Sequence, residues 1–185
     1  MNKKIKSLLT CCLFSGLLFS SVSVYAYNTY GYQKVTGISN EFYYVDSGVS
    51  TTYETAIDDA VDDWESQVSS LSLRQTTNQS ASNMDFYTYS KSDNVLGYTQ
   101  FYTNATLDPG APDKNWYWNK IYLNTATLGS KDGPKKQGVT AHEVGHALGL
   151  AHDNSNPNVL MCQTSSGRKV ETVQSDDKNG VNSIY

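Results

Sequence analysis

Two segments of the chain show the three- and four-residue spacing of apolar positions that is typical of amphipathic helices. The first is predicted to begin at Thr51, a candidate N-cap with Glu54 three residues later. Its apolar face comprises Tyr53, Ile57, Ala60, Val61, Trp64 and Val68. The second is predicted to begin at Pro134, a favoured first-turn residue, and to end near Leu148, where Gly149 follows.

Five further segments are rich in Tyr, Thr and apolar residues, a composition typical of strands. They are Glu41 to Val45, Leu73 to Thr77, Met84 to Tyr89, Leu96 to Thr103 and Lys120 to Thr125. Residues 27–40 are polar and are predicted to form a strand or an arm laid over the domain. Residues 176–185, with acids at their start, favour a short terminal helix. This order of elements predicts a mixed α+β fold.

The first 26 residues have the pattern of a removable signal peptide. Lys3, Lys4 and Lys6 precede an apolar stretch, and a small-x-small sequence ends at Ala26. The apolar stretch is shorter than the roughly 20 residues that a membrane-spanning helix needs. An uncleaved N-terminal anchor is the alternative interpretation. The sequence therefore predicts removal of residues 1–26 and secretion of residues 27–185 as one catalytic domain.

The predicted mature chain is acidic and contains one cysteine. Removal of the three leader lysines lowers the 14 basic residues to 11, against 18 acidic residues, so the formal net charge is −7. This balance argues against nucleic acid or an anionic membrane surface as the main partner. Cys162 is the one cysteine left, so the mature chain has no internal disulfide. It could be redox-sensitive, pair between molecules, or be a buried, inert side chain.

All three histidines of the chain fall within the segment HEVGHALGLAHD, which begins at His142. On a helix, His142 and His146 leave the same face one turn apart, so their nitrogens can converge on one ion. Glu143 lies beside them and can take a proton from metal-bound water. Gly149 can adopt the left-handed conformation that reverses the chain and brings His152 to the ion. Three neutral nitrogens leave a fourth position open for water, which is typical of catalytic zinc sites.

The pattern H-E-x-x-H-x-x-G-x-x-H is the signature of the metzincin zinc endopeptidases, which the mature sequence resembles over its whole length. Within that clan it is most similar to the matrixins, through this block, the strand IYLN and the tail SDDKNGVNSIY. The resemblance implies a zincin fold with a twisted, mostly parallel five-stranded sheet, an antiparallel edge strand and a long helix packed on it. The active-site helix, a methionine-containing turn and a C-terminal helix complete that fold. The implied N-terminal subdomain extends to about residue 149, and residues 150–185 form a small C-terminal subdomain.

The resemblance also implies the roles of individual residues. One zinc ion would be bound by the three histidines, with Glu143 as general base. Met161 is the candidate for the methionine beneath the metal, where it acts as a hydrophobic floor. Metzincins bind substrate in extended form along an edge strand, which here would be the strand from Leu96. The substrate-binding residues assigned in this way are Leu96, Gly97, Tyr98 and Thr99. The segment from Met161 to about Val173 would wall the main pocket.

The sequence departs from the matrixin pattern at several positions. Matrixins usually carry a structural zinc bound by further histidines, and none remains here. Calcium is common in the family, and a cluster of acids on the first helix could bind it. That cluster, Asp58, Asp59, Asp62 and Asp63, lacks the spacing of calcium loops and fits a solvated helix face. Asp153 replaces the usual Ser or Thr and could orient His152 or simply form a turn. Gln163 stands where other branches supply a tyrosine ligand, so we expect no such ligand.

These features predict a secreted zinc endopeptidase that hydrolyses peptide bonds in proteins by zinc-activated water. Its expected partner is a protein or peptide bound in extended form by a monomer, without nucleic acid or membrane. Two alternatives remain: a zinc hydrolase of a non-protein amide or ester, and a secreted binding module on the same fold. The intact Glu143 argues against the binding module, which has no chemical need for that residue.

Overall fold

The computed structural model describes residues 27–104, 106–108 and 110–185, so the predicted signal peptide lies outside the described residues. One sheet forms the centre of the fold, and its strands follow in chain order. They are β1 (Glu41–Val45), β2 (Leu73–Gln75), β3 (Met84–Tyr89), β4 (Gly97–Thr103), β5 (Thr106–Asp108) and β6 (Trp118–Asn124). Their spatial order is β2-β1-β3-β6-β4-β5. The β1–β2, β1–β3 and β3–β6 pairs are parallel, whereas β4 is antiparallel to both β6 and β5.

The prediction of a mostly parallel sheet agrees with this topology, but the predicted number of five strands is wrong. The sixth strand, β5, is only three residues long, too short for an alternating pattern to reveal it. The edge strand is therefore β5, and the antiparallel strand β4, which was predicted at the edge, lies one place inward. Because β5 pairs only with Phe101–Thr103, the outer edge of β4 lacks a strand partner over Gly97–Gln100 within the described part of the chain.

Four α-helices accompany the sheet in the residues that the structure describes. They are α1 (Thr51–Gln67), α2 (Thr125–Leu128), α3 (Gly133–Ala147) and α4 (Ser175–Ile184). The apolar face of α1 packs on α3, and buried Trp64 donates from Nε1 to the carbonyl of Ala141 at 2.8 Å. Helix α3 also contacts β4 and β6, so the catalytic-motif helix lies between α1 and the antiparallel side of the sheet. Among the residues described, no helix is both long and apolar enough to cross a membrane.

The helix termini agree only in part with the sequence prediction. Helix α1 begins at Thr51, but Ser50 is its N-cap and makes no side-chain capping bond, so the predicted capping box at Thr51 is wrong. Helix α3 has Pro134 in its first turn, as predicted, and the Asp132 side chain accepts from the N–H of Lys135 at 3.0 Å. This cap satisfies one of the free backbone donors at the start of the helix that carries the histidines.

Tyrosines fill much of the sheet face that points away from the core. The rings of Tyr98 and Tyr87 stack on Tyr122 with centroids 4.9 and 5.2 Å apart, and Tyr102 stacks on Trp118 at 4.0 Å. Because side chains alternate along a strand, the intervening residues of β3 and β6 point into the core. Five of the 14 tyrosines of the chain lie on this face: Tyr87, Tyr89, Tyr98, Tyr102 and Tyr122.

The segment of residues 27–35, called the N-terminal arm below, lies across the end of α3 and beside the sheet. The carbonyl of Asn28 accepts from the N–H of Ala151 at 2.9 Å, and the N–H of Val35 donates to the carbonyl of Trp116 at 2.8 Å. Lys34 is fully buried and pairs with buried Glu41 of β1, with Nζ 2.5 Å from Oε2. The arm is therefore fixed to the site at one end and to the sheet at the other.

Candidate active site

A glycine reverses the chain at the end of α3. Gly149 has φ of 105°, in the left-handed region that favours glycine, and a Cβ there would lie 2.8 Å from Cδ1 of Ile184. Its N–H donates to the carbonyl of His146 at 2.9 Å, and the N–H of Leu150 donates to Gly145 at 3.0 Å. This reversal returns the chain towards the helix and places the side chain of His152 beside that of His146.

The three histidine side chains converge. Nε2 of His146 and Nε2 of His152 are 3.0 Å apart, and one ring nitrogen from each of the three residues lies within 4.8 Å of the others. The ring of His142 lies 4.7 Å from that of His146 and 5.1 Å from that of His152, measured between centroids. His142 and His146 are buried, whereas His152 is exposed. The cluster is therefore open to solvent on one side.

Backbone carbonyls determine the tautomer of the two helix histidines. Nδ1 of His142 lies 2.8 Å from the carbonyl oxygen of Leu160, and Nδ1 of His146 lies 2.8 Å from that of Leu150. A carbonyl oxygen only accepts, so each Nδ1 carries the hydrogen and each Nε2 keeps its lone pair. Burial lowers the pKa of His142 well below its usual value and that of His146 to about 3. Both rings are therefore neutral at pH 7, the form that binds metal.

The chemistry of this donor set fits a zinc ion. Imidazole nitrogens are preferred zinc ligands, and three of them with one open side correspond to a catalytic site rather than a closed structural one. The described residues hold no other group of three or more His, Cys, Asp or Glu side chains placed to bind a metal. His142, His146 and His152, the ligands predicted from the sequence, are thus positioned to bind one ion.

Glu143 is buried next to the histidine cluster. Oγ1 of Thr99 lies 3.0 Å from Oε2 of Glu143 and 2.9 Å from its backbone oxygen. Gly97 leaves room for the carboxyl, since a Cβ at Gly97 would lie 3.2 Å from Cγ of Glu143. Burial raises the pKa of Glu143 to about 7, opposed by the Thr99 hydrogen bond and by the charge of Arg168. A carboxyl with a pKa near neutrality is suited to proton transfer.

The turn that contains Met161 lies beneath α3. A Cβ at Gly145 would lie 2.5 Å from Sδ of Met161, so the glycine allows this close approach. The carboxylate of Asp177, from α4, accepts from the N–H of Leu160 at 2.9 Å and from that of Met161 at 3.0 Å. Because the carbonyl of Leu160 in turn accepts from His142, Asp177 supports the side chain of His142 through the turn. The sequence pattern indicates Asp177 only as one of the acids that the dipole of the terminal helix favours.

Asp153 makes the contacts of a turn-forming residue. Its Oδ1 accepts from the N–H of Ser155 at 3.1 Å and from its hydroxyl at 2.5 Å, and its own N–H donates to the carbonyl of Met161 at 3.0 Å. Its Oδ2 is buried and has no hydrogen-bond partner among the described residues. Of the two roles suggested by the sequence, these contacts favour the turn over the orientation of His152. Cys162, two residues beyond Leu160, is fully buried and forms no disulfide within the described part of the chain.

The N-terminal arm contributes to the site, although the sequence pattern predicts only a strand or an arm there. Oη of Tyr30 lies 2.9 Å from Nδ1 of His146, 116 positions away in the chain, and its ring packs edge-on against Phe101 at 5.6 Å. Since that Nδ1 carries a hydrogen, the tyrosine oxygen is a second acceptor for it. Asn28 donates from Nδ2 to the carbonyl of His152 at 3.0 Å. Nothing local in the residues around Tyr30 signals this contact.

An open cleft of about 890 Å³ runs past the histidines and Glu143. The four residues predicted to bind substrate all line it: Leu96, Gly97, Tyr98 and Thr99. Gly97 and Thr99 face Glu143, whereas the ring of Tyr98 stacks on Tyr122 on the opposite face of the sheet. Their role in binding substrate stays a prediction.

Comparison with known proteins agrees with this geometry. A family model described as matrixin matches residues 43–185, which is most of the chain. A search of curated protein sequences finds no match. A solved structure with a similar fold, the GM1-bound form of the ECX AB5 holotoxin, aligns with a TM-score of 0.57 and 16% sequence identity. The alignment covers 85% of this chain and 86% of that chain, and at this identity it establishes a shared fold alone. Because the family model matches most of the chain, and the motif and the histidine cluster agree with it, the chain belongs to the matrixin family.

Proposed function

We propose that this protein is a secreted zinc endopeptidase that hydrolyses peptide bonds within proteins. Membership of the matrixin family supports metallopeptidase activity. The observation that carries the proposal is the convergence of three histidine nitrogens beside the buried carboxyl of Glu143, all in the lining of one open cleft. This combination supplies the ligands and the base that metal-assisted hydrolysis requires.

The chain's own residues would act on the proton of the attacking water. A zinc ion bound by the histidines supplies Lewis acidity, which acidifies water and polarises the scissile carbonyl. Glu143 accepts the proton of the water and later returns it to the leaving amine. Thr99 holds Oε2 of Glu143 by a hydrogen bond, which leaves Oε1 free for the proton.

The substrate would bind as an extended strand along β4. The outer edge of Gly97–Gln100 has no strand partner in the described part of the chain, and Thr99 within it contacts Glu143. Backbone groups at a free sheet edge bind peptides by strand addition, largely independently of sequence. Such a peptide would pass close to the histidine cluster with its backbone fixed and its side chains available for selection.

The test is hydrolysis of a casein digest and of a peptide mixture by the mature protein, compared with Glu143→Ala and Glu143→Gln. We expect both variants to retain one zinc per chain and to lose activity by at least about 100-fold, since general-base catalysis contributes about 10²–10⁴-fold. Asp59→Asn, an exposed acid on α1, is the matched control and should retain full activity. Full hydrolysis by Glu143→Ala would contradict the assigned role.

Two outcomes would favour the other functions that the sequence allows. Turnover of small amides or esters without cleavage of any protein or peptide would favour a hydrolase of non-protein substrates. One bound zinc per chain without turnover of any compound would favour a binding module. The proposal of an endopeptidase requires internal peptide bonds to be cut, which mass spectrometry of the products reports directly.

The secreted, monomeric state is part of the same proposal. The basic and apolar pattern of residues 1–26 supports export followed by cleavage after Ala26. N-terminal sequencing of protein recovered from the medium should then begin at Tyr27. Recovery of the full-length chain in the membrane fraction would favour the uncleaved anchor.

A further inference from the structure

One part of the cleft lining is positively charged. Lys131 precedes α3, Lys135 lies in its first turn, and Arg168 follows the Met161 turn; all three line the cleft beside Val139 and His142. We call these three residues the cationic wall. Glu143 is the only acidic residue among the residues that line the cleft. This concentration of positive charge contrasts with the net charge of −4 of the whole chain.

Arg168 forms the buried part of the cationic wall. The residue is 8% exposed, and its side chain 1%. Nη1 donates to the carbonyl of Leu160 at 3.3 Å, the same oxygen that accepts from His142, so the guanidinium lies directly behind a metal-binding residue. Its Nε is buried and has no acceptor among the described residues. An unmatched buried donor is costly, and it leaves the charge of the guanidinium only partly compensated by hydrogen bonds.

A single carboxylate serves two of the three cations. Glu171 places Oε1 2.6 Å from Nζ of Lys135 and Oε2 2.9 Å from Nη2 of Arg168. Gly138 makes room for this arrangement, because a Cβ at that position would overlap with the Glu171 side chain. The structure thus holds the carboxylate in place between the two cations. One carboxylate thus serves two cations, and Lys131 adds a third positive charge to the cleft lining, so the cationic wall retains an excess of positive charge.

We propose that the cationic wall is a substrate subsite that binds a carboxylate side chain, Asp or Glu, next to the scissile bond. The proposal rests on the endopeptidase function and specifies its substrate class. The ammonium groups of Lys131 and Lys135 can bind a substrate carboxylate by charge-assisted hydrogen bonds, and the buried charge of Arg168 behind them adds to the attraction. An apolar side chain would remove water from these cations without providing an acceptor, which is unfavourable.

The first measurement is the frequency of residues around the bonds that the mature enzyme cleaves in a complex peptide mixture. We expect Asp and Glu to be enriched at one position adjacent to the cleaved bond. Matched peptides with Glu, Gln or Leu at that position then give kcat/KM. Glu should exceed Gln by about tenfold, as a charge-assisted hydrogen bond allows. The ratio should fall in 1 M NaCl, where the screening length is about 3 Å.

Charge variants test whether the cationic wall causes this preference. Lys131→Glu, at an exposed site, and Lys135→Gln, at a half-buried one, should each lower the ratio of kcat/KM between the Glu and Gln peptides, both measured with the same variant. Lys169→Glu makes the same charge change one residue from Arg168, but outside the cleft lining, and should leave the ratio unchanged. Arg168→Lys keeps the charge and removes the guanidinium fork, so its ratio should fall as well.

The outcomes separate this inference from the proposed function. Efficient cleavage with Leu or Gln equal to or better than Glu would overturn the carboxylate subsite and leave the endopeptidase intact. An acidic preference that persists in Lys131→Glu, Lys135→Gln and Arg168→Lys would assign it to other residues and overturn the inference. Absence of cleavage in every peptide would overturn both proposals together.

Discussion

The buried ion pair between Lys34 and Glu41 gives a quantitative prediction about stability. Lys34 is fully buried and Glu41 is 2% exposed, with Nζ 2.5 Å from Oε2. The other carboxylate oxygen accepts from the hydroxyl of Thr36 at 2.7 Å, and the ammonium has a second, longer bond of 3.4 Å to the carbonyl of Asn83. Removal of either charge would leave the other buried with only neutral partners.

The magnitude follows from this environment. Breaking a buried pair by removing one partner costs about 3–5 kcal/mol, whereas replacing both partners by apolar residues of similar volume is often neutral. We therefore expect Lys34→Met and Glu41→Leu each to lower the free energy of unfolding by about 3 kcal/mol or more. With a urea m-value of about 1–3 kcal/mol per molar, this lowers the unfolding midpoint by about 1 M or more. The double variant Lys34→Met/Glu41→Leu should recover most of the loss.

The assay is urea unfolding of the mature protein followed by tryptophan fluorescence, analysed as a double-mutant cycle. The pH dependence gives a second test, since burial lowers the pKa of Lys34 and Glu41 opposes this shift. In Glu41→Leu the folded state binds fewer protons than the unfolded state, so its stability should rise from pH 7 to pH 9.5 relative to the wild type. A double variant as unstable as the sum of the single variants would refute the reasoning.

Two further predictions concern supports of the metal-binding residues. Tyr30→Phe removes one acceptor at Nδ1 of His146 and should weaken zinc affinity about tenfold, measured by competition with a chelator. Loss of such a partner costs about 10–100-fold in metal affinity, and we expect the lower value because the carbonyl of Leu150 still accepts from Nδ1. Tyr32→Phe, at an exposed tyrosine, is the control, and an equal dissociation constant for both variants would contradict the role. Asp177→Asn should lower the free energy of unfolding by about 2 kcal/mol, since it replaces a carboxylate that accepts two turn N–H groups. Asp176→Asn serves as its control, and equal urea midpoints for the two variants would contradict the supporting role of Asp177.

The predicted helices and strands agree with the structure where a segment carries its own periodic pattern. The strands Glu41–Val45 and Met84–Tyr89 have the predicted bounds, and α3 covers Gly133–Ala147 against a predicted start at Pro134. The matrixin resemblance is confirmed by the family match. In each case the information is local, because spacing along a helix or alternation along a strand decides which side chains share a face.

The sequence-based predictions are wrong or incomplete where the periodic pattern of a segment is too short, or where a residue's contact partner is far away in the chain. Strand β5 has three residues and depends on pairing with Phe101–Thr103 to exist at all. The N-cap of α1 is Ser50 and not the predicted Thr51, because several adjacent Ser and Thr residues could occupy that position. The contact of Tyr30 with His146 joins positions 116 residues apart and has no spacing to reveal it.

The sequence by itself determined the donor set, because His142, Glu143 and His146 share a helix and Gly149 dictates the reversal that follows. It also determined the family and the leader pattern. Tertiary structure alone decided what surrounds these groups: the burial that raises the pKa of Glu143, the arm on the histidines and the cationic wall. The physical reason is that ligand geometry depends on intervals of a few residues. Burial, hydrogen-bond partners and local charge depend on segments that meet only when the chain folds.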